Sequence, residues 1–422
     1  MEYLDIYKYA TCACLNITDN CNLACRYCFV QQKPHYMSLE TAKDAIDYLA
    51  NNFRMRKEIN PNDPETTVDV TFFGGEPTLL WDEIIVPTVL YAEETYPDMF
   101  HFDMTTNGTL LNDERIQFIK DHNMYLLLSM DGPEEVQNYN RPQRNGQGSF
   151  DLVMKNIPKI LEVRPMTTYR ATVYQPTVGH LYETYKFAYE HGFQNVFMCP
   201  NAREDWTDEN LEILHEEVHK IFTDLIMHFM EGQFPIHCAL IDNAFKKVLE
   251  HDLQVRDGAF VNRAMSRSPV RCGLGTGSLS IAFDGKIFGC QEQDSRDTAD
   301  YFYIGNIYDG IDVEKHKIIV EDYGKEEAIY CQEPEMCENC IVKYECLHDI
   351  CPSVSHDRFN HFFTRPKVDC LYQQWMMQDA IVAMDILVKQ ENNQLFRQYL
   401  DDIFVNYEVN TPKEVNGEKG DL

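Results

Sequence analysis

The sequence predicts an α/β fold built on a parallel sheet and followed by a small cysteine-rich region. Two observations carry this. Short β-branched or alternating apolar runs are interleaved with helix-length amphipathic stretches up to about residue 200, the pattern of successive βα units. The alternation then stops, and eight cysteines run from Cys272 to Cys370.

The first strand pattern is the apolar run ending at Thr18. Thr67–Phe73, His101–Thr106, Tyr125–Ser129, Tyr169–Val173 and Asn195–Met198 follow as strands. Between them, Ser38 is placed to cap a helix from Leu39 to about Phe53, and Asn112 to cap Asp113–His122. Ser149 is placed to cap the helix after it, and Gly192 to end a helix from Val178 to His191. These make about six βα units, which the handedness and layer rules arrange as a parallel sheet. Residues from about 205 to 265 read as two helices, Asn210–Glu231 and Ala239–His251, bridging to the cysteine-rich region. We divide the chain at 1–205, 206–265, 266–390 and 391–422. Tyr372 to about Lys389 and Leu395 to about Val405 have helix patterns, and a polar tail follows.

At 422 residues the chain is long enough for two or three domains, and its 44% apolar fraction can fill a core. Lys and Arg number 37 against 68 Asp and Glu, a net charge of −31. That excess argues against nucleic acid as a partner, since phosphate binding needs a basic footprint. It suits either a basic peptide or simply a solvated acidic surface. No signal peptide opens the sequence and no apolar run is long enough to span a bilayer, so we expect a cytoplasmic protein without a membrane role. Fifteen cysteines in such a chain point to metal or redox chemistry rather than disulfides.

The densest signal is Thr18-Asp-Asn-Cys21-Asn-Leu-Ala-Cys25-Arg-Tyr-Cys28-Phe-Val30. Structural zinc needs four ligands, and no His or fourth Cys stands at a suitable distance. Three thiolates on one compact loop suit a [4Fe–4S] cube with one iron free. The CxxxCxxC spacing, with Tyr27 before the third cysteine, resembles the cluster loop of the radical S-adenosylmethionine (radical SAM) enzymes. The resemblance implies a partial (β/α)6 TIM-like barrel with its site at the carboxyl ends of the strands. It also implies that SAM chelates the free iron of a cluster held by Cys21, Cys25 and Cys28. Reductive cleavage then leaves a 5′-deoxyadenosyl radical, with the electron coming from a low-potential donor, flavodoxin or ferredoxin.

The strand-end loops extend the match. Gly74-Gly75-Glu76-Pro77 follows the second strand, where the resemblance places the segment contacting the SAM amino group. Ser129 is by resemblance a candidate for the ribose hydroxyls. Asn107 and Asp131 each precede a glycine and read equally as turn formers or as cofactor contacts. Arg170 lies inside the fifth strand, where a charge needs a partner. The resemblance supplies the SAM carboxylate; an internal Arg–carboxylate pair is the structural alternative. Cys199 at the strand rim carries little weight alone, and Cys12, Cys14 and Cys238 read as structural.

In the second cysteine field, Asp284-Gly285 is a type I′ turn signal joining Ser278–Phe283 to Lys286–Cys290, a hairpin that returns Cys290 towards Cys272. Then come Cys337-x2-Cys340-x5-Cys346-x4-Cys351 and Cys370. A zinc knuckle has similar elements. After a radical SAM loop the set resembles the SPASM domain, which holds two auxiliary [4Fe–4S] clusters, for three in all. The resemblance assigns Cys337, Cys340, Cys346 and Cys370 to the outer cluster. It assigns Cys272, Cys290 and Cys351 to the inner one, with the Cys346–Cys351 spacing one residue longer than usual. The inner cluster is then one ligand short: either Cys331 completes it or its iron is open to a substrate thiolate.

The function expected is a maturase that forms a Cys thioether in a ribosomally made, Cys-containing precursor peptide, of the sactipeptide or ranthipeptide type. Anaerobic sulfatase maturases resemble the chain broadly but carry an aspartate after the cysteine matching Cys290, where this sequence has Gln291. Carbon–carbon cross-linking of a peptide is a further alternative. An iron–sulfur protein that only carries electrons is the non-enzymatic one, and it has no need of GGEP. Because the barrel pattern begins almost at once, leader recognition is expected from a separate protein, from the SPASM region or from nothing.

Overall fold

The computed structural model of the protein describes residues 9–63, 65–256, 278–294, 302–324, 330–337, 340, 351–362 and 364–407. Its centre is β1 (Cys12–Thr18), β2 (Val68–Gly74), β3 (Phe100–Thr106), β4 (Tyr125–Ser129), β5 (Thr168–Val173) and β6 (Asn195–Pro200). These strands lie side by side in chain order, and each adjoining pair is parallel. A short β7 (His237–Cys238) adds in parallel beyond β6. At the other edge β8 (Ser278–Ile281) pairs in parallel with β1, and β9 (Lys286–Phe288), β10 (Tyr303–Asn306) and β11 (Gly310–Ile311) continue antiparallel. Among the described residues β7 and β11 do not pair, so the sheet stays open.

Strand periodicity gives the sheet two chemically different faces. Ala13, Leu15 and Ile17 of β1, with Val70, Phe72 and Met104, pack against Ala42, Ile46 and Leu49 of the helix Leu39–Ile59. Tyr169, Ala171, Val196 and Met198 of β5 and β6 sit in a second apolar cluster with the helices Leu181–Glu190 and Asp208–Met230. The opposite residues, among them Asn16, Thr71, Asp103, Ser129, Arg170 and Cys199, are mostly polar and form the inner face.

Local signals set most boundaries. Ser38 Oγ accepts from Thr41 N at 3.0 Å and Asn112 Oδ1 from Arg115 N at 2.9 Å, both as expected N-caps. Gly192 follows the helix Leu181–Glu190 at φ +87°, a C′ glycine. The Val178 end of that segment is instead a separate 3-10 turn, Gln175–His180. Ser149 does not cap the next helix: its Oγ donates to Arg141 O at 2.7 Å and accepts from Gln137 Nε2 at 3.0 Å. The β8–β9 hairpin is present, with Ser280 opposite Phe288. Its turn is not type I′, which needs positive φ at both central residues. Only Gly285 has it, at +80°, within a three-residue loop closed by Gly285 N to Ala282 O at 2.9 Å.

The C-terminal helices Lys367–Met384 and Gln394–Tyr407 pack into the same apolar cluster as β5, β6 and the helices Asp208–Met230 and Ala239–Arg256. Tyr372 Oη donates to Met198 O of β6 at 3.3 Å, tying the end of the chain to the sheet. No helix among the described residues is long and apolar enough to cross a membrane.

Candidate active site

The loop carrying Cys21, Cys25 and Cys28 leaves the carboxyl end of β1 and is held from two sides. Gly75 N donates to Thr18 O at 2.7 Å and Glu76 N to Asn20 O at 2.9 Å. A Cβ on Gly74 would overlap Thr18 O, and one on Gly75 would overlap Asn20 O. The paired glycines are therefore required by the backbone of the cysteine loop itself. From the other side, Ala24 N donates to Pro142 O at 2.8 Å and Arg26 N to Asn140 O at 3.0 Å. Arg144 donates to Cys21 O at 2.5 Å, to Asn20 Oδ1 at 3.0 Å and to Gln32 Oε1 at 2.7 Å.

Asp131 anchors this dock. Its buried carboxylate accepts from Tyr27 Oη, Asn140 Nδ2 (3.1 Å), Arg141 Nη2 (3.0 Å) and Thr172 N (2.9 Å). Four donors occupy its two oxygens, so the carboxylate faces protein groups rather than an open cavity. Arg141 also lies 5.4 Å over the Tyr27 ring. Burial pulls the Arg141 pKa down, but the carboxylate beside it more than reverses this.

Glu76 is also buried and engaged. It accepts from Thr106 Oγ1 at 2.7 Å, Asn107 N at 2.8 Å, Thr78 N at 3.1 Å and the Thr78 hydroxyl. Burial raises its pKa, and those donors oppose the rise. It caps the 3-10 turn Pro77–Leu80, with Pro77 in the first turn. Asn107 gives Nδ2 to Asn22 Oδ1 at 2.9 Å and points it at Cys21 Sγ at 3.9 Å, while Oδ1 accepts from Thr109 N at 3.0 Å. Asn107 thus binds the loop and orients a thiol.

Ser129 and Arg170 are opposite each other in the β4–β5 register on the inner face. Arg170 Nη1 donates to Ala171 O at 2.7 Å and its guanidinium lies 4.6 Å over the Phe197 ring. Among the described residues no carboxylate lies within ion-pair distance of Arg170, unlike Arg141. Cys199, one rung above Phe197 on β6, has its thiol pushed up to about 11, mainly by burial.

Burial also pushes Cys21 to about 12 and Cys25 to about 11, so the thiols resist ionisation in the bare pocket. A cationic group bound by sulfur reverses that penalty. Among the described residues no three His, Cys, Asp or Glu side chains are arranged around a single metal ion. Three thiols spread over one loop, with N–H donors on Cys21 from Leu23 N (3.3 Å) and Asn107, fit a cluster of several irons.

Residues 15–188 match the radical SAM superfamily. This region is a radical SAM domain. The chain is 20% identical over 402 residues to the radical SAM cyclopropyl synthase TigE of Paramaledivibacter caminithermalis, covering 92% of this chain and 76% of that one. It is 24% identical over 229 residues to a cysteine-type anaerobic sulfatase-maturating enzyme of Clostridium novyi. That match takes in 51% of this chain and 60% of the relative, less than two thirds of its length. In fold it is similar to anSMEcpe with bound AdoMet and Cp18Cys peptide, at TM-score 0.67 and 18% identity, covering 89% of this chain and 99% of that one.

Beyond the radical SAM domain the described thiols form two groups. Cys351, which precedes the helix Pro352–Phe359, points its sulfur at Glu292 Oε2, 3.6 Å away. Burial, then Glu292, then Cys290 raise its pKa. Glu292 also accepts from Arg203 Nη2 at 2.5 Å, and Arg203 lies 5.3 Å over the ring of Phe29, the residue after Cys28. The second group is Cys331, Cys337, Cys340 and Cys370. Cys331 N donates to Cys337 Sγ at 3.2 Å, and Cys340 N donates to Cys337 O at 3.4 Å. A hydrogen bond with the Cys370 thiol is the main reason the Cys331 pKa falls to about 7. Cys272 and Cys346 lie outside the described residues.

Sequence reasoning missed Asn140, Arg141 and Arg144, which hold the cysteine loop. Their signal is an Asn-Arg-Pro-Gln-Arg run that begins on the last residue of a short helix, with no spacing that marks it. It also missed Arg203 and Glu292, which join the cysteine loop to the second cysteine field.

Proposed function

We propose that the protein is a radical SAM peptide maturase that joins a cysteine sulfur of a precursor peptide to a carbon of the same peptide as a thioether. The observation carrying this reading is the Cys351 thiol, linked through Glu292 and Arg203 to Phe29 on the cysteine loop. When bound, SAM and the triad cluster supply a 5′-deoxyadenosyl radical. Cys21, Cys25 and Cys28 would hold three irons of that cluster, with Asn107 and Leu23 N orienting Cys21. Arg170, on the inner face and without a carboxylate partner among the described residues, would take the SAM carboxylate, and Ser129 beside it the ribose.

Cys290, Cys351 and Cys272 would hold an inner auxiliary cluster, and Cys337, Cys340, Cys346 and Cys370 an outer one. The inner set lacks a fourth cysteine, which suits it to hold a substrate thiolate near the reacting carbon. The similarity to a structure with AdoMet and the Cp18Cys peptide supports a peptide as the substrate class. A low-potential donor such as flavodoxin or ferredoxin would supply the electron.

Carbon–carbon bond formation is the second reading, favoured by the likeness to TigE over most of this chain. One experiment separates the two. The reduced, cluster-loaded enzyme is incubated with SAM and a candidate Cys-containing peptide, and the product is alkylated. A thioether product is lighter by two hydrogen atoms and has lost one alkylatable thiol per bridge. A product equally light with every thiol still alkylated contradicts the thioether reading and supports the second.

A further inference from the structure

Two stretches that meet over the cysteine loop stand apart in charge from the rest of the chain. Residues 20–39 and 136–150 carry Arg26, Lys33, Arg141 and Arg144 and no Asp or Glu, in a chain with 68 acidic residues and a net charge of −31. The fold lays them side by side: Ala24 N donates to Pro142 O at 2.8 Å, Arg26 N to Asn140 O at 3.0 Å, and Leu23 bridges to Gln143. Arg141 is spent on Asp131, and Lys33 is half-buried. Arg26 and Arg144 differ from both. They are exposed, and their partners are neutral oxygens. Arg26 donates to Tyr139 O at 2.7 Å, and Arg144 to Cys21 O, Asn20 Oδ1 and Gln32 Oε1. Arg26 also lies 4.5 Å over the ring of Tyr139, which is itself 41% exposed. Glu134 and Glu135 stand at the opposite end of the helix that closes at Asn140. The result is an exposed patch of arginine and tyrosine, residue types enriched at protein interfaces.

We propose that this patch is the docking face of the electron donor, a small protein with carboxylates around a low-potential redox group. A net charge of −31 repels such a partner at long range, and a local cationic patch decides where it can approach. The location suits the transfer. Arg144 Nε touches the carbonyl oxygen of Cys21 at 2.5 Å, so the patch lies one side chain away from a triad residue. One electron leaves the donor for the triad cluster, and no bond forms or breaks in that step. A patch resting on two arginines is small, as the interfaces of transient redox encounters are. The inference rests on the radical chemistry of the proposed function and goes beyond it in assigning this surface.

Formation of 5′-deoxyadenosine from SAM without peptide tests it, driven by reduced flavodoxin, by reduced ferredoxin, or by dithionite, a small reductant that needs no docking face. Two variants change the charge of the patch. Arg26→Gln removes a cation. The double variant Gln31→Glu/Gln147→Glu adds two anions at exposed positions and keeps the acceptor that Gln147 offers to Asn145 Nδ2. Both should raise the half-saturating concentration of the protein donor, the double variant by about 10-fold at low ionic strength. The difference should vanish at high salt. The double variant should keep the parent's dithionite-driven rate, which shows that its triad is loaded. Lys389→Glu, in the C-terminal segment Asp385–Gln390, should leave the donor titration unchanged. A double variant that titrates with donor like the parent at low salt, or an equal shift from Lys389→Glu, overturns the docking face. So does a shift confined to the half-saturating concentration of a precursor peptide, which would assign the patch to an acidic peptide instead. A parent that forms 5′-deoxyadenosine with dithionite but with neither protein donor overturns this inference and leaves the proposed function standing. No 5′-deoxyadenosine with dithionite overturns both.

Discussion

Arg141 and Asp131 form an ion pair at 3.0 Å whose side chains are 8% and 0% exposed, directly beneath Tyr27 of the cysteine loop. Neither residue reads as a pair in the sequence. Together they convert the end of β4 and the helix after it into a platform for the loop.

Breaking that pair should be expensive, because it strands a buried carboxylate. Arg141→Ala is expected to destabilise the protein by about 3–5 kcal/mol and to lower triad iron loading. Asp131→Asn strands the buried Arg141 guanidinium instead and should cost a similar amount. Chemical denaturation with iron assay checks both. An Arg141→Ala protein as stable as the parent would contradict the dock.

The glycine pair makes a second, purely steric prediction. Gly75→Ala should prevent the loop from seating against Asn20 and abolish triad cluster assembly, because the added Cβ meets backbone. Gly179→Ala, where the nearest side-chain atom is 3.8 Å from the new carbon, should assemble normally. The absorbance of reconstituted protein compares them.

Arg170 offers a functional contrast to Arg141. With no carboxylate among the described residues to strand, Arg170→Ala should leave thermal stability within a few degrees of the parent. It should still weaken SAM binding by about 1.5–3 kcal/mol, roughly 10- to 100-fold in Kd. Equilibrium binding of SAM measures this. A large stability loss with unchanged SAM affinity would favour a structural role.

Asp294 gives the stability a pH dependence. Its carboxylate accepts from Asn16 Nδ2 at 2.7 Å and from the Ser280 hydroxyl, bridging β1 and the hairpin. Burial there raises its pKa from 3.8 to about 7. The folded state thus holds the proton more tightly than the unfolded chain. The group's favourable contribution is complete below about pH 4, lost progressively towards pH 7, and constant above. Asp294→Asn does not titrate. The Tm of the parent relative to this variant should fall between pH 4 and 7 and then level off. A difference independent of pH would show that the carboxyl titrates normally.

Much of this architecture was legible in local pattern. The six strands and the triad are written in period-2 alternation and fixed cysteine spacing, signals that need no knowledge of distant contacts. What was not legible depends on partners far away in the chain. Ser149 looks like a cap, yet its hydroxyl goes to Arg141 O instead. Asp131 looks like a turn residue or a ligand, yet Tyr27, over a hundred residues earlier, claims one oxygen. The resemblance marks Gly74 and Gly75 as part of a SAM-contacting segment, but their close approach to Thr18 O and Asn20 O is set by a loop some fifty residues earlier. The position of Cys331 depends on a strand pair with residues 364–365 that no spacing rule announces.

The central claim is that the Cys21–Cys25–Cys28 loop generates a radical from SAM. The direct measurement is 5′-deoxyadenosine, quantified after incubating the reduced, reconstituted protein with SAM, with and without peptide. The account predicts 5′-deoxyadenosine from the parent protein and none from the variant with all three cysteines replaced by Ala. No 5′-deoxyadenosine from the fully loaded parent, with or without peptide, would contradict it.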